Sequence, residues 1–293
     1  MTTATATSPT AGTTVPRKGR LTFTGVLRSE FIKLWSLRST YWCCAIVIVL
    51  SVGFGLLLSS IQRPSVPGAP AAAALSASAQ QVTALADATI GVGIGQLVFS
   101  VLGVLAITGE YSTGMIRSTL TAEPKRLPTL IGKAAVLAVS SFVVGLITLF
   151  GTAAIIFPIL PGIHIHPNWG DSNLVFALFG GAAYIALITL VAFSIGAIIR
   201  STAGGIASAI GLVLVVPAVL GILSNTTGAK WLSNIVVFLP TQAGRLLYSY
   251  GGPKGEITNG YVTLNSTEGG LVLLAWFVVP FIIAAILLMR RDA

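Results

Sequence analysis

Six apolar stretches divide the chain, each close to the length that crosses a bilayer as a helix: roughly 41–60, 90–109, 130–156, 174–199, 203–223 and 271–289. A hydrocarbon core about 30 Å thick takes about 20 residues at 1.5 Å per residue. No stretch alternates polar and apolar residues with period two, which argues against an outer-membrane barrel. Composition agrees. Hydrophobic residues make up 54% of the chain and charged residues 9%, where a chain that solvates its own surface carries about a quarter charged. The expected fold class is an all-α membrane protein with six transmembrane helices.

The net charge of +9 could suggest nucleic acid, but the basic residues flank apolar blocks instead of gathering on one face, which is the pattern of membrane topology. With the N-terminus inside, the cytoplasmic set is Arg17, Lys18, Arg20, Arg28, Lys33, Arg38, Arg117, Lys125, Arg126, Lys133, Arg200, Arg290 and Arg291. The outer set is Arg63, Lys230, Arg245 and Lys254, so 13 of the 17 basic residues lie inside. Both termini are therefore expected in the cytoplasm. The reading assigns no charged residue to the spans, and counts Lys133 with the cytoplasmic flank of the third. A cleaved signal ending at Ala77-Ser78-Ala79 is disfavoured, because the apolar run is too long and the site lies well beyond it. Residues 64–79 then form an external loop. Residues 1–20 form a cytoplasmic tail, its first 16 Thr/Ala-rich without periodicity, which reads as disorder.

Three segments outside the spans carry structure. Over 21–38, Phe23, Leu27, Phe31, Leu34 and Trp35 share one helical face, opposite Ser29, Lys33 and Ser36. Ile32 falls on the polar side and Glu30 near the apolar edge. This predicts an interfacial helix. After the second span, Glu110 to Leu120 is long enough for a short cytoplasmic helix ending before Pro124. Tyr111, Met115 and Ile116 in it are apolar groups flanked by charge, suited to a partner's groove. Over about 230–250, two apolar runs meet at Pro240 and neither is long enough to span. They predict short external re-entrant helices, which must be buried in protein or line a cavity.

The chemistry missing from the sequence narrows the function. Gly132-Lys133 is followed by Ala134, and Leu127 stands where a phosphate-binding loop needs its first glycine, so no ATP site is expected on this chain. Zinc-protease and nucleophile-elbow motifs are absent. His164 and His166 share one external loop with Asp171, a weak metal signal, and no metal ligand is assigned. Cys43 and Cys44 are adjacent within the first span and read as small apolar helix residues. No enzyme activity is expected. Ion-coupled carriers usually hold ionisable groups at mid-membrane; their expected lack here weakens that alternative, a carrier or channel working without an ATPase.

Taken in order, Ser29-Glu30-Phe31-Ile32-Lys33-Leu34-Trp35-Ser36-Leu37-Arg38-Ser39, then Gly109-Glu110-Tyr111-Ser112-Thr113-Gly114-Met115-Ile116-Arg117, then Pro124-Lys125-Arg126 resemble the ABC-2 type permease family, the membrane subunits of bacterial exporters. Six spans and a Pro-broken segment before the last complete the resemblance, which covers about 21–291 as one permease domain. It implies a plasma-membrane subunit without cofactors of its own, paired with a second permease chain and a separate cytoplasmic ATPase that binds ATP and magnesium. Glu110, Tyr111, Met115 and Arg117, in a coupling helix over about 110–120, would meet that ATPase. Glu30, Phe31, Lys33, Trp35 and Arg38 would belong to the interfacial helix. Trp231, Val237, Leu239 and Pro240 would form an external gate. The transported substrate does not follow from the resemblance.

Overall fold

A computed structural model describes residues 22–61, 76–112, 114, 126–252 and 255–290. Six helical segments are long and apolar enough to cross a membrane: Arg38–Ile61, Ala77–Ser112, Leu127–Ile156, Ser172–Ile199, Thr202–Thr227 and Ser266–Arg290. Each contains or overlaps one expected span, and the chain is a multi-pass membrane protein. In chain order the elements are α1 (Phe23–Ser36), α2 (Arg38–Ile61), α3 (Ala77–Thr89), α4 (Val92–Ser112), α5 (Arg126–Ile156), α6 (Ser172–Ile199) and α7 (Thr202–Ile210). There follow α8 (Val216–Thr227), α9 (Lys230–Val237), α10 (Pro240–Arg245), the strands β1 (Glu256–Thr258) and β2 (Tyr261–Thr263), and α11 (Ser266–Arg290). The bundle has an α1 end, where α4 stops and α5 starts, and a far end holding α9, α10 and the strands.

The spine is α6. Its sequence is apolar on every side, which suits a helix surrounded by protein or lipid, and neighbouring helices cover most of it although Phe176 is 72% exposed. Tyr184, Ile188 and Phe193 are 0% exposed, and α4, α5, α7 and α11 pack around it. Small residues set how closely they pack. A Cβ on Gly103 of α4 would strike the Thr189 carbonyl of α6, and one on Gly145 of α5 would lie 3.1 Å from the Ala182 Cα. Several hydroxyls within the spans turn back on their own helices. Thr108, Thr148 and Ser194 each donate to the carbonyl four residues earlier, at 2.8 to 2.9 Å, so they need no partner across the bundle.

The second span starts earlier than hydropathy indicates. Gln80, Gln81, Thr83 and Asp87 dilute the apolar signal of α3, yet α3 and α4 form one crossing broken only at Ile90 and Gly91. The break brings the Gly91 backbone onto Ser51 of α2, where no Cβ would fit. The fifth span is also composite: a π turn over Gly211–Val215 joins α7 to α8. That wider turn accommodates Pro217, whose ring would otherwise strike the carbonyl of Val213, four residues earlier.

One further expectation is corrected. Lys133 is not a flanking residue: it lies within α5, inside a crossing helix, and is 8% exposed. From Ile156 it is 23 residues back, about 34 Å at 1.5 Å per residue. At the other end, 256–263 forms a β-hairpin. Asn259 and Gly260 both adopt positive φ (54° and 83°), the two-residue turn whose twist matches paired strands, and β1 pairs antiparallel with β2.

The close approach of α4 to α6 gives a direct check. Alanine normally stabilises a helix relative to glycine by up to about 1 kcal/mol, but at Gly103 it would force α4 off the α6 backbone, a strain of about 1–3 kcal/mol. Gly103→Ala should lower the thermal unfolding midpoint in detergent. Gly93→Ala, at a position with nothing within 4 Å, should not.

Candidate functional site

At the α1 end four charged side chains form one closed network. Lys133 Nζ of α5 donates to Glu30 Oε2 at 2.5 Å and to Glu110 Oε1 at 2.8 Å, while Lys33 Nζ reaches Glu30 Oε1 at 2.7 Å and Glu110 Oε1 at 3.4 Å. Glu30 is 3% exposed and Glu110 8%. Two acids alternate with two bases, so the network is neutral and each buried carboxylate lies against two ammonium groups. Burial alone would depress Lys33, but the hydrogen bond to Glu30 and the charges of Glu110 and Glu30 outweigh it and raise its pKa above the ordinary 10.5. It therefore stays protonated throughout the neutral range.

Local sequence places these groups. Thr22 caps α1, its hydroxyl accepting from Gly25 N, and Leu37 in an extended conformation ends the helix. Thr40 then donates to Leu34 O at 2.7 Å, stitching the turn into α2. Val26, Glu30 and Leu34 recur every four residues and form the buried face of α1. The face chosen from hydrophobicity is rotated from this one. Phe23, Phe31 and Ile32 are 49%, 52% and 56% exposed, and Glu30, placed near the apolar edge by sequence, lies at the centre of the packed face because its charge is compensated there. Trp35 is half-buried, donates to Ser140 Oγ at 3.3 Å and packs edge-on against Tyr41. Arg38 starts α2 and is exposed.

Of the expected coupling group, Glu110 and Tyr111 do not begin a separate helix; they continue α4 through its last turn. Glu110 turns inward to Lys133. Tyr111 lies under the Arg200 guanidinium at 5.2 Å, and Arg200 Nη2 also donates to Leu287 O at 3.2 Å. The ends of α4, α6 and α11 are thus held together beside the ionic network. Met115 and Arg117, with 113, 116 and 118–125, lie outside the described residues. A cavity of about 270 Å³ opens between α1, α4 and α5. The four charges line one side of it, and Leu34, Leu105, Val136 and Leu137 are among its apolar lining.

The far end is stitched by hydrogen bonds, with no ion pair there among the described residues. Two short helices flank Pro240, which occupies the first turn of α10, where its missing N–H is not needed. Leu239 and Pro240 are buried, Val237 is half-buried and Trp231 is exposed. Beneath them a Cβ on Gly244 would collide with the Tyr184 ring, and Tyr184 donates to Gln96. Asn234 of α9 holds the hairpin through Gly260 O and Val262 N at 3.0 and 2.9 Å. Trp276 of α11 donates to Phe238 O at 2.9 Å. The Tyr250 hydroxyl donates to Asp171, which raises its pKa because ionisation would put two anions side by side. His166 is bound through its backbone by Gln80 and Gln81. Among the described residues no three His, Cys, Asp or Glu side chains gather as metal ligands.

Sequence reasoning missed Lys133 and the inward turn of Glu30. The available signals were the Glu30–Lys33 spacing of three and a single lysine inside an apolar helix; neither indicates a partner 100 residues away. Compared with protein-family models and with curated proteins, the chain matches none.

Removing one charge from a buried network strands its partners, at a cost of about 3–5 kcal/mol. Lys133→Met should therefore destabilise the protein strongly, measured by thermal unfolding in detergent. Adding Glu110→Gln to it should recover part of the loss, because one stranded carboxylate is then neutral. Additive losses would show that the two residues do not interact.

Proposed function

We propose that this chain is the membrane-spanning permease subunit of an ABC-2 type exporter in a bacterial plasma membrane. In this reading both termini and the α1 end are cytoplasmic, and α9 and α10 are external re-entrant helices. A separate cytoplasmic ATPase binds ATP and magnesium, and a second permease chain completes the path. The observation that carries the reading is the ionic network. It ties α1 to the end of α4 and the start of α5, the two helix ends between which 113–125 must run, and that is where a partner ATPase would push.

A mechanical route follows from the packing. Force on 113–125 moves α4 and α5 together, and Lys133, Glu110, Glu30 and Lys33 carry α1 with them. The close contact at Gly103 and Thr189 passes the motion to α6. The far-end helices rest on α6 through Tyr184 and Gly244, and also where the Leu247 carbonyl meets Gly180. Glu110 and Tyr111 then transmit the motion from within the bundle, while Met115 and Arg117 meet the ATPase. Trp231, Val237, Leu239 and Pro240 form the external gate. The exposed apolar sides of α2 and α8, including Trp42, Val49, Val219 and Ile222, face lipid or the second permease chain.

One observation favours the second reading, an ion-coupled carrier. Asp87 of the second span is 0% exposed, and buried acids in spans mark ion pathways. Its backbone carbonyl, however, lies beside Gly55 together with Ile156 and Thr152, at the far end of α5 and not at mid-membrane.

The test is to purify the tagged full chain from its native membranes in mild detergent and identify what accompanies it by mass spectrometry. A stoichiometric ATPase with phosphate-binding loops is the expected result. A chain that purifies alone, and in vesicles carries flux driven by a proton or sodium gradient, would overturn the proposal.

A further inference from the structure

Helix α1 runs alongside α5 in the same direction. A Cβ on Gly132 would lie 3.0 Å from Val26, and nine residues further along α1 Trp35 bonds to Ser140. A crevice therefore opens on each side of α1. The one toward α4 holds the ionic network, where each ammonium lies against carboxylates and no net charge is left over. The other is a trough of about 360 Å³, bounded by Leu27, Arg28 and Phe31 of α1 and by Val136, Val139 and Ser140 of α5. Arg28 forms no ion pair among the described residues and is exposed. Phe31 and Val139 are 52% and 64% exposed, so the trough's walls are open to whatever solvates the helices.

Polarity along the trough is graded. Arg28 lies near the level of Lys133, toward the start of α5. Val139 is six residues nearer Ile156 than Lys133 is, about 9 Å further along the crossing helix. A cation thus stands at the outer end of an apolar channel that deepens toward the bilayer centre. That order matches an amphiphile with an anionic head and an alkyl chain. A guanidinium is the side chain best suited to a phosphate, through paired N–H donors.

We propose that this trough binds one glycerophospholipid of net negative charge, its phosphate on Arg28 and an acyl chain along Phe31, Val136 and Val139. The lipid would fill the outer groove of α1 and brace the helix against α5 from the side opposite the ionic network. The inference rests on the membrane-spanning helices alone and stands apart from the ATPase reading.

Native mass spectrometry of the full chain tests it, after incubation with dioleoyl phosphatidylglycerol or dioleoyl phosphatidylcholine in mild detergent. One phosphatidylglycerol per chain should be retained in preference to phosphatidylcholine. Arg28→Ala should lower that retention about fivefold, the worth of one basic residue at an anionic surface. Val139→Trp, which fills the trough from an exposed position, should also lower it, with thermal stability in lipid-free detergent unchanged for both variants. Arg38→Ala, at an exposed cation outside the trough, should retain as much lipid as the unaltered chain, and free glycerol 3-phosphate should not compete. Equal retention of the two lipids, or equal effects of Arg28→Ala and Arg38→Ala, would overturn the site in favour of diffuse surface charge. Competition by glycerol 3-phosphate would make it a free-phosphate site, and a dimer lost in Val139→Trp would show that a second copy fills the groove; either result overturns the lipid assignment.

Discussion

Four buried charges at the α1 end determine how this bundle is closed there. An isolated ammonium or carboxylate there would cost several kcal/mol, so each is tolerable only while the others are in place. That mutual requirement fixes α1 to the side of α5 and the last turn of α4 against both. It also explains why α1 can turn Glu30 inward and leave Phe23, Phe31 and Ile32 outside. Lipid contact costs an apolar ring nothing, whereas a carboxylate facing lipid would be stranded. Hydrophobicity is a poor guide to the packed face of a helix that lies in this zone.

Away from the charges, the bundle is held by close approach. Between apolar helices in lipid there is no hydrophobic gain to be had from association, and packing has to supply it. Gly103, Gly145 and Gly244 let neighbouring backbones or rings reach the α6 spine, while buried hydroxyls such as those of Thr108, Thr148 and Ser194 bond within their own helices. The result joins the two ends through a stiff centre. The α1 end is closed by ion pairs and the far end by hydrogen bonds from Asn234, Trp276 and Tyr250. A displacement at one end has a packed route to the other through α4 and α6.

Much of this fold was legible in the sequence, because a bilayer imposes a length. All six crossings follow from runs of apolar residues, and Pro240 marks the break between two helices too short to cross. The start of the second crossing was hidden because Asp87 and Gln81 are polar residues buried by tertiary contacts that hydropathy does not register. The ionic network was hidden for another reason: Glu30, Glu110 and Lys133 are separated by 80 and 23 positions, and only the fold brings them together. The hairpin at 256–263 had a readable signal, Asn259-Gly260 between β-branched and aromatic residues. The re-entrant reading stops at about 250 and assigns nothing to 256–263. The functional assignment depends on short motifs whose order resembles the ABC-2 type permeases, and the structure adds a physical reason for Glu30 and Glu110 to stand where those motifs put them.

Hydrogen exchange offers the most direct measurement of the central claim, that the ionic network holds α1 as one unit with the end of α4. Backbone exchange would be followed in the full chain and in Lys133→Met, both in mild detergent. If the network is the tie, exchange in 23–36 and in 105–112 should accelerate together in the variant, while 256–263 at the far end stays unchanged. An α1 that exchanges equally fast in both proteins, or an effect confined to α4, would contradict the account and leave α1 held by its apolar contacts alone.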